Sequence, residues 1–445
     1  MDLKRLEMLM AEKNYVTLKK ELEEMNPVDL ADLLETLEIH RALLLFRMLS
    51  KDLAAEVFSS FSSEKQRDII GLITDRELKD IVDELYFDDM IDIIEEMPAN
   101  VVKKILLHAK EEERNLINQF LKYPPDSAGS IMTIEYVDLK KGMTVREALD
   151  HIKKTGLDKE TVYTCYVTDK NRKLEGIVSL RKLVISNEDK TIEDIMDTEV
   201  IFVNTHDDQE SVAAIFMKYG FLALPVVDRE NRLTGIITVD DIMDVVEQEA
   251  TEDFQKMAAM SPSEEEYLDT GVFPLARHRL PWLLILMISA TFTGRIMLKF
   301  ENLLSSAVIL STFIPMLMDT GGNSGNQSST LIIRGLATGE LTTHDWYKVL
   351  WKELRISIIV GVTLSFVNFM RLIYLEKVNY MIAVVVSLTT IVTVMCAKLV
   401  GGTLPIIAKK IGLDPAIMAG PLITTIIDAL SLMVYFGIAT TLLGL

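Results

Sequence analysis

Cysteine is almost missing from this sequence: two occur in 445 residues, Cys165 and Cys396, which excludes a disulfide framework and fits a reducing compartment. Histidine is scarce as well, with six scattered positions. No Walker loop, cysteine–histidine pair or metal-hydrolase spacing accompanies them, so the chain reads as something other than an enzyme. The first residues, Met1-Asp2-Leu3-Lys4-Arg5, alternate charge with leucine. They lack the apolar run of a secretory leader, and residues 1–276 are expected to stay in the cytoplasm. That same part is poor in bases. It carries 33 Lys and Arg against 58 Asp and Glu, a net −25, whereas the remainder carries 13 against 8, a net +5. Phosphate binding needs clustered bases, so nucleic acid is excluded as a partner and cations are the natural ligands.

Beyond Arg279 five apolar stretches are long enough to cross a bilayer, near 280–300, 303–334, 354–375, 380–408 and 414–444. Arg277, His278 and Arg279 precede the first; Arg334, Lys348, Lys352 and Arg355 separate the second and third; Lys409 and Lys410 separate the fourth and fifth. Bases thus mark alternate loops. The positive-inside bias then predicts a multi-pass protein of the cytoplasmic membrane, with its N-terminus in the cytoplasm and its C-terminus outside.

The spans are too polar for a mere anchor. The second contains Pro315, Asp319 and the run Gly321-Gly322-Asn323-Ser324-Gly325-Asn326-Gln327, whose amides need protein or water rather than lipid. Its glycines alone also admit a reading as close helix packing. The fifth holds Asp428 near its middle, where an ionised carboxylate facing lipid costs several kcal/mol. At helical spacing Pro421, Thr424, Thr425, Asp428, Ser431 and Tyr435 form one mostly polar stripe. It reads as a pore-lining face, with Gly420-Pro421 as a kink. The alternative is a buried Asp428 paired with Arg295 or Lys398. Two such carboxylates facing each other across a two-fold axis would attract a divalent cation. Mg²⁺ sheds water reluctantly and suits a wide site with few carboxylates plus the backbone and hydroxyls around Thr424 and Thr425.

Residues 128–248 contain an internal repeat. Ile131-Met132-Thr133 through Ala148-Leu149 corresponds to Ile195-Met196-Asp197 through Ala213-Ala214-Ile215, and Leu174-Glu175-Gly176-Ile177 to Leu233-Thr234-Gly235-Ile236. This arrangement resembles a tandem pair of cystathionine-β-synthase (CBS) domains. In such domains a Thr/Ser-x-x-Asp at the start of the last helix binds adenine nucleotides. Thr238 and Asp241 fit that pattern, while Ser179-Leu180-Arg181-Lys182 departs from it, which makes ATP a candidate second ligand. Thr238 as a plain helix cap is the competing reading. Ahead of the repeat, Asp29-Leu30-Ala31-Asp32, Asp52-Leu53-Ala54-Ala55, Glu77-Leu78-Lys79-Asp80 and Asp89-Met90-Ile91-Asp92 recur on short helical segments and suggest a solenoid. After it, an acidic helix runs from Asp240 toward Glu264-Glu265-Glu266 and Asp269.

Together these parts resemble the MgtE family of magnesium channels. The most specific elements are Pro315 followed by the Gly321–Gln327 run with Arg334-Gly335, and Asp414-Pro415 followed by Gly420-Pro421-Leu422-Ile423-Thr424-Thr425 and Asp428. The resemblance implies a multi-domain chain. It would comprise an all-α superhelical N-terminal domain (1–125), α/β tandem CBS domains (126–248), a connecting or plug helix (249–276) and an α-helical membrane domain of five spans (277–445). It implies a homodimer in the bilayer that takes up Mg²⁺ through a pore at Asp428, Thr424, Thr425, Gly321 and Asn323. Regulatory Mg²⁺ is expected at Glu56, Asp88, Asp92, Glu210, Asp241, Asp244, Glu249, Glu252 and Asp253, closing the pore when bound. One departure stands out: members often have Tyr-Asp where this chain has Tyr219-Gly220, which removes one bridging carboxylate. The rival readings are a cation-coupled exporter of divalent metal and a membrane-bound nucleotide sensor that transports nothing.

Overall fold

A computed structural model describes residues 3–108, 111–263, 267–268 and 270–444. Glu264-Glu265-Glu266 and Asp269 of the acidic run lie outside the described residues. The chain divides into two compact units, Met1–Val245 and Val246–Leu445.

The first unit begins with short helices between Leu3 and Phe120, and the four acidic-apolar segments each fall on one of them: Pro27–Glu35, Lys51–Ser59, Asp75–Val82 and Phe87–Glu96. Their starts follow local chemistry. Pro27 opens its helix where a missing N–H costs nothing, and the Asn26 side chain accepts from the Val28 N–H at 3.0 Å. Thr74 and Glu77 form a reciprocal capping box. Leu30, Ala31 and Leu34 are buried while Asp29 and Asp32 are exposed, so the helical period puts the leucines inward and the acids in solvent.

The repeat forms two three-stranded sheets of equal topology. One joins β1 (Tyr136–Leu139), β2 (Thr161–Thr168) and β3 (Leu174–Ser179); the other joins β4 (Val203–Asn204), β5 (Ala223–Val227) and β6 (Leu233–Thr238). In each, the first pair is parallel and the second antiparallel. The Ile-Met leads are exchanged between repeats. Thr133 of the first bridges Ile236 of the second, and Asp197 of the second bridges Ile177 of the first. The helix Gln209–Tyr219 ends at Gly220, whose φ of 67° is left-handed and whose N–H donates to the Phe216 carbonyl at 2.7 Å. Glycine there closes a helix at no steric cost, which gives the departure at Tyr219-Gly220 a local structural reason.

Helix α1 (Val239–Met257) contains the point where the two units divide. The expected connecting segment 249–276 takes in the end of this helix, to Met257, and the start of the helix Val272–Lys299. The second unit then holds α2 (Val272–Lys299), α3 (Ile314–Ala337), α4 (Trp346–Met370), α5 (Tyr380–Lys410) and α6 (Gly420–Leu443). Among the described residues four segments are long and apolar enough to cross a membrane, those of α2, α4, α5 and α6. The 24-residue α3 is long enough but carries the glycine-amide run. The expected single stretch 303–334 is broken: a short helix Glu301–Ser306 and a 3-10 turn Val308–Phe313 precede α3. Pro315 accordingly opens a helix rather than interrupting one. The same holds for Gly420-Pro421, which start α6 after the 3-10 turn Pro415–Met418 instead of kinking its interior.

Helices α3, α5 and α6 pack through missing side chains. A Cβ on Gly325 would collide with the Ile427 side chain, and one on Gly401 with the Gly325 carbonyl. Only glycine lets the α3 and α5 backbones meet this closely.

Candidate functional site

Contacts between α3 and α6 pair residues in opposite directions along the two helices, so the helices run antiparallel. The Asn326 amide donates to the Thr424 hydroxyl at 3.3 Å. A Cβ on Gly322 would sit 2.9 Å from the Thr424 methyl, and one on Gly321 would sit 2.9 Å from the Ile427 side chain and 2.8 Å from the Ser431 hydroxyl. Asp428 is half-buried in this seam, and its Oδ1 has no hydrogen-bond partner; neither has Oδ1 of Asn326. Two buried acceptor oxygens without donors are costly unless water or a cation reaches them.

The other residues expected here take several roles. The hydroxyls of Thr424 and Thr425 donate to the carbonyls of Gly420 and Pro421 at 3.0 and 2.9 Å, so each presents its oxygen with its proton already committed. Gly321 is a packing position. Asn323 is exposed. Tyr435, at the far end of the polar stripe, is fully buried and donates to the Leu310 carbonyl at 2.9 Å, which makes it an anchor for the segment ahead of α3. Asn326 was not singled out from sequence, although it lies seven residues after Asp319 and four after Gly322, on one helical face.

Lys398 does not pair with Asp428. Its ammonium lies 3.4 Å from the Ser328 hydroxyl, which donates to Glu353 Oε2 at 2.6 Å. All three are buried, at 4%, 1% and 6% exposure, so a carboxylate and an ammonium are bridged by one hydroxyl between α3, α4 and α5. Glu353 follows Lys352 in what reads as a charged loop. Yet Lys352 and Arg355 are exposed and Glu353 alone turns inward.

The acidic residues of the first unit sit mostly in solvent. Glu56, Asp92, Glu210 and Asp244 are exposed, Asp241 is half-buried, and the side chain of Asp88 lies outside the described residues. The neighbour of Asp88 is more informative. Burial, and after it the Asp241 carboxylate, pushes Asp89 up to about 6. In the second unit Lys256 lies 2.6 Å from both Glu252 and Asp414. Burial and the Asp414 carboxylate push Asp253 up to about 6 as well. Glu249 is half-buried on the same helix. Among the described residues no group of three or more acids, histidines or cysteines is close enough to hold a metal ion. Asp89 and Asp241, and Asp253 and Asp414, are near enough for one carboxylate to act on the other; Mg²⁺ keeps several of its waters and takes one or two carboxylates.

Thr238 donates to Asp241 at 2.7 Å, a helix-capping arrangement. A concave space of the CBS pair lies elsewhere, in a cleft of ≈ 550 Å³ lined among others by Tyr163, Thr164, Ser179, Arg181, Tyr219 and Pro225. Ser179 and Arg181 belong to the repeat that departs from the nucleotide pattern.

Residues 314–438 match the MgtE family of divalent cation transporters, 25–126 the MgtE intracellular N domain, and 128–186 and 192–248 the CBS domain. The magnesium transporter MgtE of Thermus thermophilus is 40% identical over 431 residues, 96% of this chain and 95% of that one. The Bacillus subtilis magnesium transporter MgtE is 38% identical over 74% of this chain and 72% of its own length. Among solved structures, the cytosolic domain of the Mg²⁺ channel MgtE in complex with ATP aligns with TM-score 0.52 at 36% identity, covering 54% of this chain and 98% of that one. The soluble part of a magnesium transporter aligns with TM-score 0.53 at 31% identity, covering 56% and 97%. With such identity across nearly the full length of both chains, the chain belongs to the MgtE family.

Proposed function

We propose that the chain conducts Mg²⁺ into the cell through its membrane bundle, as a homodimer in the cytoplasmic membrane with its C-terminus outside. The observation that carries this is Asp428, a half-buried carboxylate in the α3–α6 seam whose Oδ1 has no donor. A hydrated cation supplies what that oxygen lacks: water protons to donate and charge to balance. Basic residues on alternate loops support the orientation. The Mg²⁺ transport assigned to relatives at 40% and 38% identity supports the choice of ion. In liposomes containing the purified full-length chain, Asp428→Ala should abolish Mg²⁺ influx. Influx equal to the wild type sinks the reading.

The domain division carries a second role. Residues 1–125, 126–248 and 249–276 serve as a sensor and connector for the pore domain 277–445. Mg²⁺ at the Asp89/Asp241 pair and at the Asp253/Asp414 pair screens carboxylates that otherwise repel, and the net −25 of residues 1–276 favours this occupancy. Glu56, Asp88, Asp92, Glu210, Asp244, Glu249 and Glu252 add to the same field. A ligand shifts such an equilibrium only through its difference in affinity between compact and open states. Limited proteolysis reads it: cleavage should slow as Mg²⁺ rises, and a rate independent of Mg²⁺ would count against regulation. ATP is the second ligand of this sensor, and the Ser179–Arg181 cleft is its place. The ATP complex of a relative's cytosolic domain supports this.

A further inference from the structure

The bases just ahead of the first span have no counter-charge. Helix α2 carries no acid between Val272 and Lys299, and from Leu280 to Gly294 it is free of charge altogether. Arg277 is exposed one turn before that apolar stretch, and among the described residues it has no ion pair and no side-chain hydrogen bond. It lines a cleft of ≈ 610 Å³ together with Ser261, Phe273, Pro274, His278 and Pro281. Pro274, Arg277, His278 and Pro281 recur at helical spacing and share one face of α2. Arg279 lies about 200° of helical rotation from Arg277 and falls on another face. Pro281 sits inside the helix and has no N–H, so the Arg277 carbonyl four residues back lacks its helical donor. The loop beside the cleft is held from both sides. The Ser261 N–H donates to the His278 carbonyl at 3.0 Å, and the Gln255 side chain near the end of α1 grips the carbonyl and N–H of Ser263 at 2.8 and 2.7 Å. An exposed cation, an open carbonyl acceptor and apolar walls therefore meet where the chain enters the bilayer.

We propose that this cleft binds the headgroup of an anionic phospholipid bearing free hydroxyls, of which phosphatidylglycerol is the simplest. The Arg277 guanidinium takes the phosphate, whose geometry its fork of donors matches, and the His278 imidazole adds an N–H. The Arg277 carbonyl accepts from a headgroup hydroxyl. Phe273, 89% exposed, covers the glycerol backbone and first acyl carbons with Pro274 and Pro281. Charge and position choose this occupant: a juxtamembrane base gains from anionic lipid at the level where a span begins, whereas a zwitterionic lipid brings a cation of its own. Because Ser261 and Gln255 tie the loop to both helices, an occupied cleft also fixes the junction between α1 and α2.

The test is native mass spectrometry of the full-length chain in neutral detergent, titrated with phosphatidylglycerol, phosphatidylcholine, phosphatidic acid or inorganic phosphate. Phosphatidylglycerol should be retained in preference to phosphatidylcholine, and Arg277→Gln should weaken its binding about fivefold, the loss expected for one juxtamembrane base. Arg279→Gln, which removes an equal charge from another face, should leave it unchanged. Pro281→Ala restores the N–H that occupies the Arg277 carbonyl. It should weaken phosphatidylglycerol but not phosphatidic acid, which has no headgroup hydroxyl. Should Arg277→Gln fail to give a monodisperse protein, Arg277→Thr serves the same measurement. Equal losses from Arg277→Gln and Arg279→Gln overturn the inference in favour of diffuse surface charge. Displacement of the lipid by millimolar inorganic phosphate overturns it in favour of a free anion, and dissociation of an oligomer by Arg277→Gln in favour of a contact between copies of the chain. An equal effect of Pro281→Ala on both anionic lipids, or none, overturns the role given to the hydroxyl.

Discussion

Two of the buried polar groups of side chains in the membrane bundle are treated oppositely. In one, Ser328 bridges Glu353 and Lys398, and charge and hydrogen bonds are matched within the protein. In the other, Asp428, Asn326, Ser431 and Thr393 all leave polar atoms without partners. The same low-dielectric setting penalises an unmet polar group in both places. A satisfied cluster holds helices together, and an unsatisfied one waits for a ligand. The difference teaches that intramembrane charge alone does not distinguish a structural cluster from a candidate ion site.

The largest expected effect breaks the satisfied cluster. Lys398→Met strands the Glu353 carboxylate and should destabilise the bundle by about 3–5 kcal/mol, read as a lower thermal midpoint in detergent, with Glu353→Gln added in the double variant recovering most of the loss. By contrast Asp428→Asn, which removes a charge that nothing in the chain balances, should lower the midpoint little or not at all. A large drop there would erase the distinction between the clusters. Next in size is Gly401→Ala. Its new methyl meets the Gly325 carbonyl, and overpacking of this kind costs about 1–3 kcal/mol. It should therefore destabilise the bundle without changing the Mg²⁺ half-saturation. A smaller effect extends the comparison to water. Hydrogen bonds from Arg47, the nearer at 2.7 Å, hold Glu77 down to about 2. Its folded value lies below its unfolded one, so this stabilisation is present above about pH 4.5 and is lost as pH falls toward 2. Arg47→Met should weaken that acid-side dependence in the unfolding of the N-terminal helices, followed by circular dichroism, the remainder being held by the Thr74 hydrogen bonds to Glu77.

Much of the fold was legible because it is periodic. Leu30 and Leu34 inward with Asp29 and Asp32 outward is a helical pattern, and the Gly176 and Gly235 segments repeat in register. The site was legible only where one residue contradicts its surroundings, as Asp428 does in an apolar helix. The break at 301–313 was hidden, since apolar composition is the same whether the backbone is α-helical or a 3-10 turn. Glu353 was hidden by its neighbours: Lys352 and Arg355 make a charged loop of it on paper, and only the helical rotation that exposes them and buries Glu353 separates the three. Asn326 belonged to a run of small polar residues in which the sequence does not show which members face the seam.

The exchanged leads of the CBS pair have a consequence for synthesis. Thr133 leaves the ribosome early, but its partner Ile236 follows about a hundred residues later, several seconds at about 5–20 residues per second. Until then the lead of the first repeat has no sheet to join, and the first sheet waits in turn for Asp197. Neither repeat is therefore a finished folding unit on its own. The two halves mature together, so a mutation that delays either one leaves an open strand edge on the other.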